Sequence, residues 1–188
     1  MICDCQGTGS LFRYPVSLIL KSTSFLLTIA LSIVNLLGVS KPGSLPDARL
    51  TQGATLAVTK DDGCTPGYSR KVRAGPISVK REVFHAYGID HPEPRAYEVD
   101  HLISLELGGS NSVRNLWPEP YYSLVWNAHV KDSLEDRLHS MVCSGETTLE
   151  AAQREISGNW IAAYRKYFDT DVPVSKQYLR RRRQSGGY

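Results

Sequence analysis

The stretch "YEVDHLISLELGGSNSVRNLWPEP", Tyr97 to Pro120, constrains this chain more than any other. Tyr97, Val99, His101 and Ile103 alternate with Glu98, Asp100 and Leu102, the period of two that a half-buried strand requires. Gly108-Gly109-Ser110-Asn111 then reads as a turn, and Val113 to Trp117 as a short return strand ended by Pro118. The expected unit is a β-hairpin with an irregular tip.

Helical spacing surrounds it. "SVKREVFHAYG" places Val79, Val83, Phe84 and Tyr87 on one side, with Ser78 as N-cap and Gly88 as the stop. "WNAHVKDSLEDRLHSMVC" carries Val130, Leu134, Leu138 and Met141 at intervals of four, four and three, which predicts one apolar stripe on a helix of about four turns. Thr147 and Glu150 form a capping-box pattern ahead of "LEAAQREI", and "NWIAAYRKYF" keeps a helical rhythm as a second segment, with Gly158 between the two. Few strands among several helices make the expected fold class α+β, with the domain over residues 55–170.

The ends differ from the middle. From Ser22 to Ser40 no residue is charged, and Arg13 and Lys21 precede that apolar run, the pattern of an export signal or, if retained, a membrane anchor over residues 1–40. Residues 41–54, "KPGSLPDARLTQGA" with its Pro and Gly, read as a linker, and residues 171–188, ending in "RRRRQSGGY", as a basic disordered tail. The formal charge of +3 owes four positive charges to Arg180–Arg183; between Lys41 and Leu179 there are 16 Lys/Arg against 18 Asp/Glu, a balance of −2. Such a domain does not coat nucleic acid by bulk charge alone. With Cys3 and Cys5 in the leader, Cys64 and Cys143 remain as a pair, either a disulfide fitting an exported protein or two buried thiols. Neither has a second cysteine at zinc-binding spacing, so no structural zinc is expected.

The hairpin and the helix after it carry the chemistry. His101 is suited to be a general base, since a neutral imidazole accepts a proton near neutral pH. Asp100 suits a hard divalent cation, which prefers carboxylate oxygen. Asn115 can hold the far nitrogen of His101, and His129 or Asn127 on the helix can complete a metal shell. In a regular strand Asp100 and His101 point to opposite faces, so both reach one site only if the strand bulges. Glu98 and Glu106 read as solvated, and His139 as an exposed helix residue.

Asp100-His101, the Leu107-Gly108-Gly109 turn, Asn115-Leu116 and the helix bearing His129 and Lys131 resemble the HNH endonucleases of the ββα-metal class, over about Tyr97 to Leu138. The longer pattern, with "PGYS", "NLWPEP" and "VKDSLEDRLH", is similar to exported bacterial HNH-like proteins. The resemblance implies a ββα-metal hairpin-helix core with flanking helices. It further implies His101 as base, Asn115 as the residue orienting it, and Asp100 and His129 as ligands of one divalent metal, Mg, with Mn or Zn as alternatives. Many HNH motifs have proline where this chain has Ser104, and many carry paired zinc-binding cysteines that it lacks; His129 stands two residues before Lys131 where three is common. The function implied is an exported, periplasmic or secreted, monomeric endonuclease hydrolysing phosphodiester bonds of DNA or RNA, with no small-molecule cofactor, and membrane contact only if the leader is retained. The alternative is an exported binding module of the same fold without catalysis.

Overall fold

A computed structural model describes residues 42–174 apart from Gly75 and Ser123. The expected leader, residues 1–40, and the arginine run lie outside the described residues. Among those described, the architecture is α+β: three short helices, α1 (Lys60–Cys64), α2 (Tyr68–Val72) and α3 (Ile77–Ala86), precede β1 (Tyr97–His101) and β2 (Leu116–Pro120), and two long helices follow, α4 (Ala128–Ser144) and α5 (Leu149–Phe168). No described helix is long and apolar enough to cross a membrane.

β1 and β2 pair antiparallel, from Tyr97 with Pro120 through to His101 with Leu116, with no residue skipped. The hairpin is real, but its return strand starts later than the spacing suggests. Val113 to Asn115 form a 3-10 turn, as do Leu105 to Leu107, so the connection is a structured loop of 14 residues. Pro118 lies inside β2, opposite Val99, rather than ending it. A two-stranded sheet has only edge strands, and a proline whose missing N–H faces away from the partner costs no ladder bond.

The loop folds back on itself closely enough to exclude side chains at its tip. A Cβ on Gly109 would stand 1.8 Å from the Ile103 carbonyl oxygen, and Gly108 has φ +77 with Val58 against it. That is why the glycine pair stands there.

Helix ends follow local chemistry. Pro76 rather than Ser78 precedes the first turn of α3, and Gly88, at φ +68, follows its last. Asn127 caps α4 by accepting from the His129 N–H, and Gly145 ends it in the left-handed conformation. Thr148, one residue past the expected cap, accepts from Ala151 N at the start of α5. Asn159, next to Gly158, breaks α5 with φ −164, and its own Oδ1 accepts from Ala162 N to restart the helix. The core gathers Trp117, Leu134, Leu138, Ile156, Trp160 and Tyr164, all fully buried, so the hairpin rests on the α4–α5 pair. In the α4 stripe, Val142 is buried where Met141 was expected, and Val130 is only partly covered.

Residues 42–54 are not a linker. Ser44 donates to the Trp126 carbonyl and accepts from Trp160 Nε1, both at 2.7 Å. Thr51, 2% exposed, donates to the Leu116 carbonyl at 2.8 Å and shares a hydrogen bond with Tyr87. The segment is an irregular strap with a hydrogen-bonded turn over Asp47–Thr51, packed on the core without any periodicity.

Cys64 and Cys143 form a disulfide with a Cα–Cα separation of 5.7 Å, tying α1 to the end of α4. It closes a loop of 79 residues, for which a stabilisation of roughly 2–5 kcal/mol is ordinary.

Candidate functional site

His101 ends β1 and lines a cleft of about 790 Å³ bordered by α3, the end of β2 and the residues after α2. Three cationic side chains, Arg73, Lys80 and Arg95, line the same cleft, together with Glu98, Asn111 and the rings of Phe84, Tyr97, Tyr121 and Tyr122. Arg95 adopts φ +64, a left-handed conformation that a long side chain rarely takes, and such strain persists where surrounding contacts enforce it. The domain's overall balance is slightly negative, yet this concavity collects positive charge.

One hydrogen-bond relay fixes the state of His101. Asn111 Nδ2 donates to the Val72 carbonyl at 2.8 Å, which turns Oδ1 toward His101 Nε2 at 3.1 Å. An amide oxygen only accepts, so Nε2 carries the proton and Nδ1 keeps its lone pair. Burial lowers the His101 pKa below the usual imidazole value, and the Asn111 bond offsets this only in part. The ring is neutral at pH 7, with one basic nitrogen.

Asn115 does something other than expected. Fully buried, it accepts from Ile103 N–H at 2.9 Å and donates to the carbonyls of Ile103 and Ser110 at 3.0 and 2.9 Å. Its amide splints the loop after His101, and the amide that bonds the His101 ring is that of Asn111, a residue of the expected turn. Asn115→Ala leaves these buried backbone groups unpaired and is expected to cost about 2–3 kcal/mol, measurable by urea unfolding.

Asp100 and His101 point apart, as an unbulged strand demands. The Asp100 carboxylate bonds the Lys131 ammonium at 2.7 Å, and the same ammonium donates to the His101 carbonyl at 2.6 Å and to Glu135 at 2.5 Å. Lys131 is 0% exposed, and beside it lies Glu119, also 0% exposed, whose carboxyl meets that of Asp100 and in its protonated form donates a hydrogen bond to it. Burial pushes Glu119 well up, against the pull of Lys131, with Asp100 adding to the rise. Burial likewise pushes Glu135 up to about 8, again opposed by Lys131. Burial also acts to raise Asp100, but the charge and hydrogen bond of Lys131 outweigh it and hold the carboxylate below its usual value. For Lys131 itself, desolvation is overcome by Asp100, Glu135 and Glu119, so its pKa lies well above normal. Burial thus favours the protonated forms of Glu119 and Glu135, while Lys131 is held as an ammonium and Asp100 as a carboxylate.

This arrangement makes stability depend on pH. A carboxyl whose folded pKa is raised binds its proton more tightly folded than unfolded; its stabilisation is full below about 4.5 and disappears as pH rises toward 8. Glu135→Gln, which keeps an acceptor for Lys131 but does not titrate, is expected to flatten the fall of the unfolding midpoint between pH 5 and 8.

The His129 ring packs on Tyr121 and Tyr122, at centroid distances of 4.7 and 5.0 Å, with Nδ1 3.7 Å from Asp132. Asn127 serves as the α4 cap and also donates to the Leu124 carbonyl. With an ammonium already on Asp100, the donors as placed do not fit the expected two-ligand centre at Asp100 and His129. Among the described residues, the His, Cys and carboxylate group that could hold a metal ion is Cys64, His139 and Cys143, whose ligand atoms all lie within 4.8 Å of one another. His139 is thus partly buried, not an exposed helix residue.

The charge of Lys131 was legible in one respect. Ala128, Lys131, Leu134, Leu138 and Val142 form the buried stripe of α4, so a lysine stands where the spacing calls for an apolar residue. Arg73, Lys80 and Arg95 carry no such signal, being brought together only by the fold. Comparison of the chain with family models, with curated proteins and with solved structures finds no match.

Proposed function

We propose that this protein is an exported endonuclease that hydrolyses phosphodiester bonds in nucleic acid. The observation that carries the reading is a neutral, tautomer-fixed His101 facing a cleft lined by Arg73, Lys80 and Arg95. A phosphate anion in that cleft meets three cations, which also compensate the extra negative charge of the transition state. His101 Nδ1 takes a proton from water as the oxygen attacks phosphorus, and the opposite P–O bond breaks, its sugar oxygen leaving as an alkoxide that solvent protonates. Asn111 keeps the ring turned the right way, and Asn115 holds the loop that follows. The rings of Tyr97, Tyr121 and Tyr122 give unpaired bases flat surfaces to stack on. The disulfide suits an oxidising compartment, which supports export.

The resemblance to HNH enzymes adds a divalent ion, Mg, Mn or Zn, to this proposal. Because Lys131 occupies Asp100, no step here is routed through such an ion, and Lys131 instead anchors the strand end from which His101 projects. The test is cleavage of plasmid DNA and of a structureless RNA by the purified full chain, in Mg²⁺, in Mn²⁺ and in EDTA. Cleavage of either polymer supports the reading, and the EDTA arm separates a reaction needing a divalent ion from one in which side-chain cations suffice. Tight binding without cleavage under any of these conditions supports the binding-module alternative. Asn111→Ala is expected to reduce the rate about tenfold or more, since the wrong tautomer presents no base to the cleft.

A further inference from the structure

We propose that Cys64, Cys143 and His139, once their disulfide is reduced, form a binding site for a thiophilic divalent cation of the zinc type, with Glu106 orienting the histidine. The site joins α1 to α4, separate from the His101 cleft, and the inference does not depend on nuclease activity.

Both sulfurs are held together with a ring nitrogen. His139 Nε2 lies 3.4 Å from Cys143 Sγ, and its other nitrogen, Nδ1, lies 3.6 Å from Glu106 Oε2. A histidine that ligates a metal through one nitrogen commonly gives its other N–H to a carboxylate, which fixes the ring and raises its basicity. Here that carboxylate is already in place, and Ser69 Oγ donates to its second oxygen at 3.2 Å. Two thiolates and one imidazole are a donor set that zinc prefers, and three protein ligands leave a fourth position to water. The Cα–Cα distance of 5.7 Å keeps the two sulfurs near each other after the bond is opened. Cys64 and Cys143 are each partly exposed, so a small reductant reaches them.

The chemistry balances with a dithiol as reductant. It supplies two electrons and two protons to the Cys64–Cys143 bond, leaving as its own cyclic disulfide, and two protein thiols result. Metal binding releases both thiol protons to solvent. The ring proton moves from Nε2, where it serves the Gly63 carbonyl at 3.0 Å, to Nδ1, where Glu106 receives it. A small-molecule disulfide that takes up the two electrons, leaving as its two thiols, re-forms the Cys64–Cys143 bond and expels the ion.

The test uses the full chain carrying Cys3→Ser and Cys5→Ser, so that only the proposed thiols respond. It is reduced with a phosphine under nitrogen and titrated with Co²⁺, then with Zn²⁺ in competition. The expected result is one equivalent of cobalt with a sulfur-to-cobalt charge-transfer band, absent from the oxidised protein and lost in Cys143→Ser. Glu106→Gln is expected to weaken binding about 10–100-fold, and His139→Ala by more. A reduced protein with no such band, or one whose band and affinity are untouched in His139→Ala, overturns the proposal. If reduction loosens the fold, Zn²⁺ is expected to restore the far-ultraviolet dichroism and raise the unfolding midpoint. Failure of Zn²⁺ to do so also overturns it.

Discussion

His101→Ala is expected to lower phosphodiester cleavage by about 10²–10⁴-fold while leaving the unfolding midpoint close to that of the unchanged protein. The first half follows from the base: Nδ1 is the one nitrogen of that ring with a free lone pair, because Asn111 holds Nε2 as a donor. The second half follows from the packing, since His101 is only partly buried and its ring makes a single described hydrogen bond, to Asn111. Burial keeps the ring neutral below the ordinary imidazole range, so cleavage is expected to persist into mildly acidic solution. Initial rates across pH 5 to 8 check this, and a rate that collapses already at pH 7 contradicts it.

Lys131→Met is expected to destabilise the fold by about 3–5 kcal/mol, the usual consequence of removing one partner from a buried ion pair. Methionine nearly matches the stem in length but leaves Asp100 without its ammonium and the His101 carbonyl without its donor. Glu119 and Glu135 are less affected, because burial already favours their protonated forms. Asp100 is not spared, being the carboxylate that Lys131 keeps ionised. Lys131→Met combined with Asp100→Asn is therefore expected to recover a measurable part of the loss, and the double-mutant cycle by urea unfolding gives the coupling. Additive effects of the two changes would show that the contact carries little.

Much of the fold follows from periodicity. The alternation from Tyr97 to His101 gives β1, the Leu134–Leu138 spacing gives α4, and the pairing of Cys64 with Cys143 is a disulfide. Where local chemistry competes with periodicity, the positions shift: two 3-10 turns delay β2, and the break between the two segments of α5 falls at Asn159, one residue past Gly158. The strap over residues 42–54 was illegible because its order comes from hydrogen bonds to Trp126, Trp160 and Leu116, distant in sequence. At the candidate site, the His101 ring is bonded by Asn111, where Asn115 was expected. Both stand in the same loop, and only the fold decides which amide meets the imidazole. A lysine at a stripe position is the one signal that marked the buried charge cluster, and the cationic cleft had none.

The most direct measurement is single-turnover nucleic-acid cleavage by His101→Gly with and without added imidazole. If the ring of His101 is the group that takes the proton, the variant is nearly inert and free imidazole restores cleavage in proportion to its concentration. Cleavage by the variant at the unchanged protein's rate, indifferent to imidazole, would contradict the account.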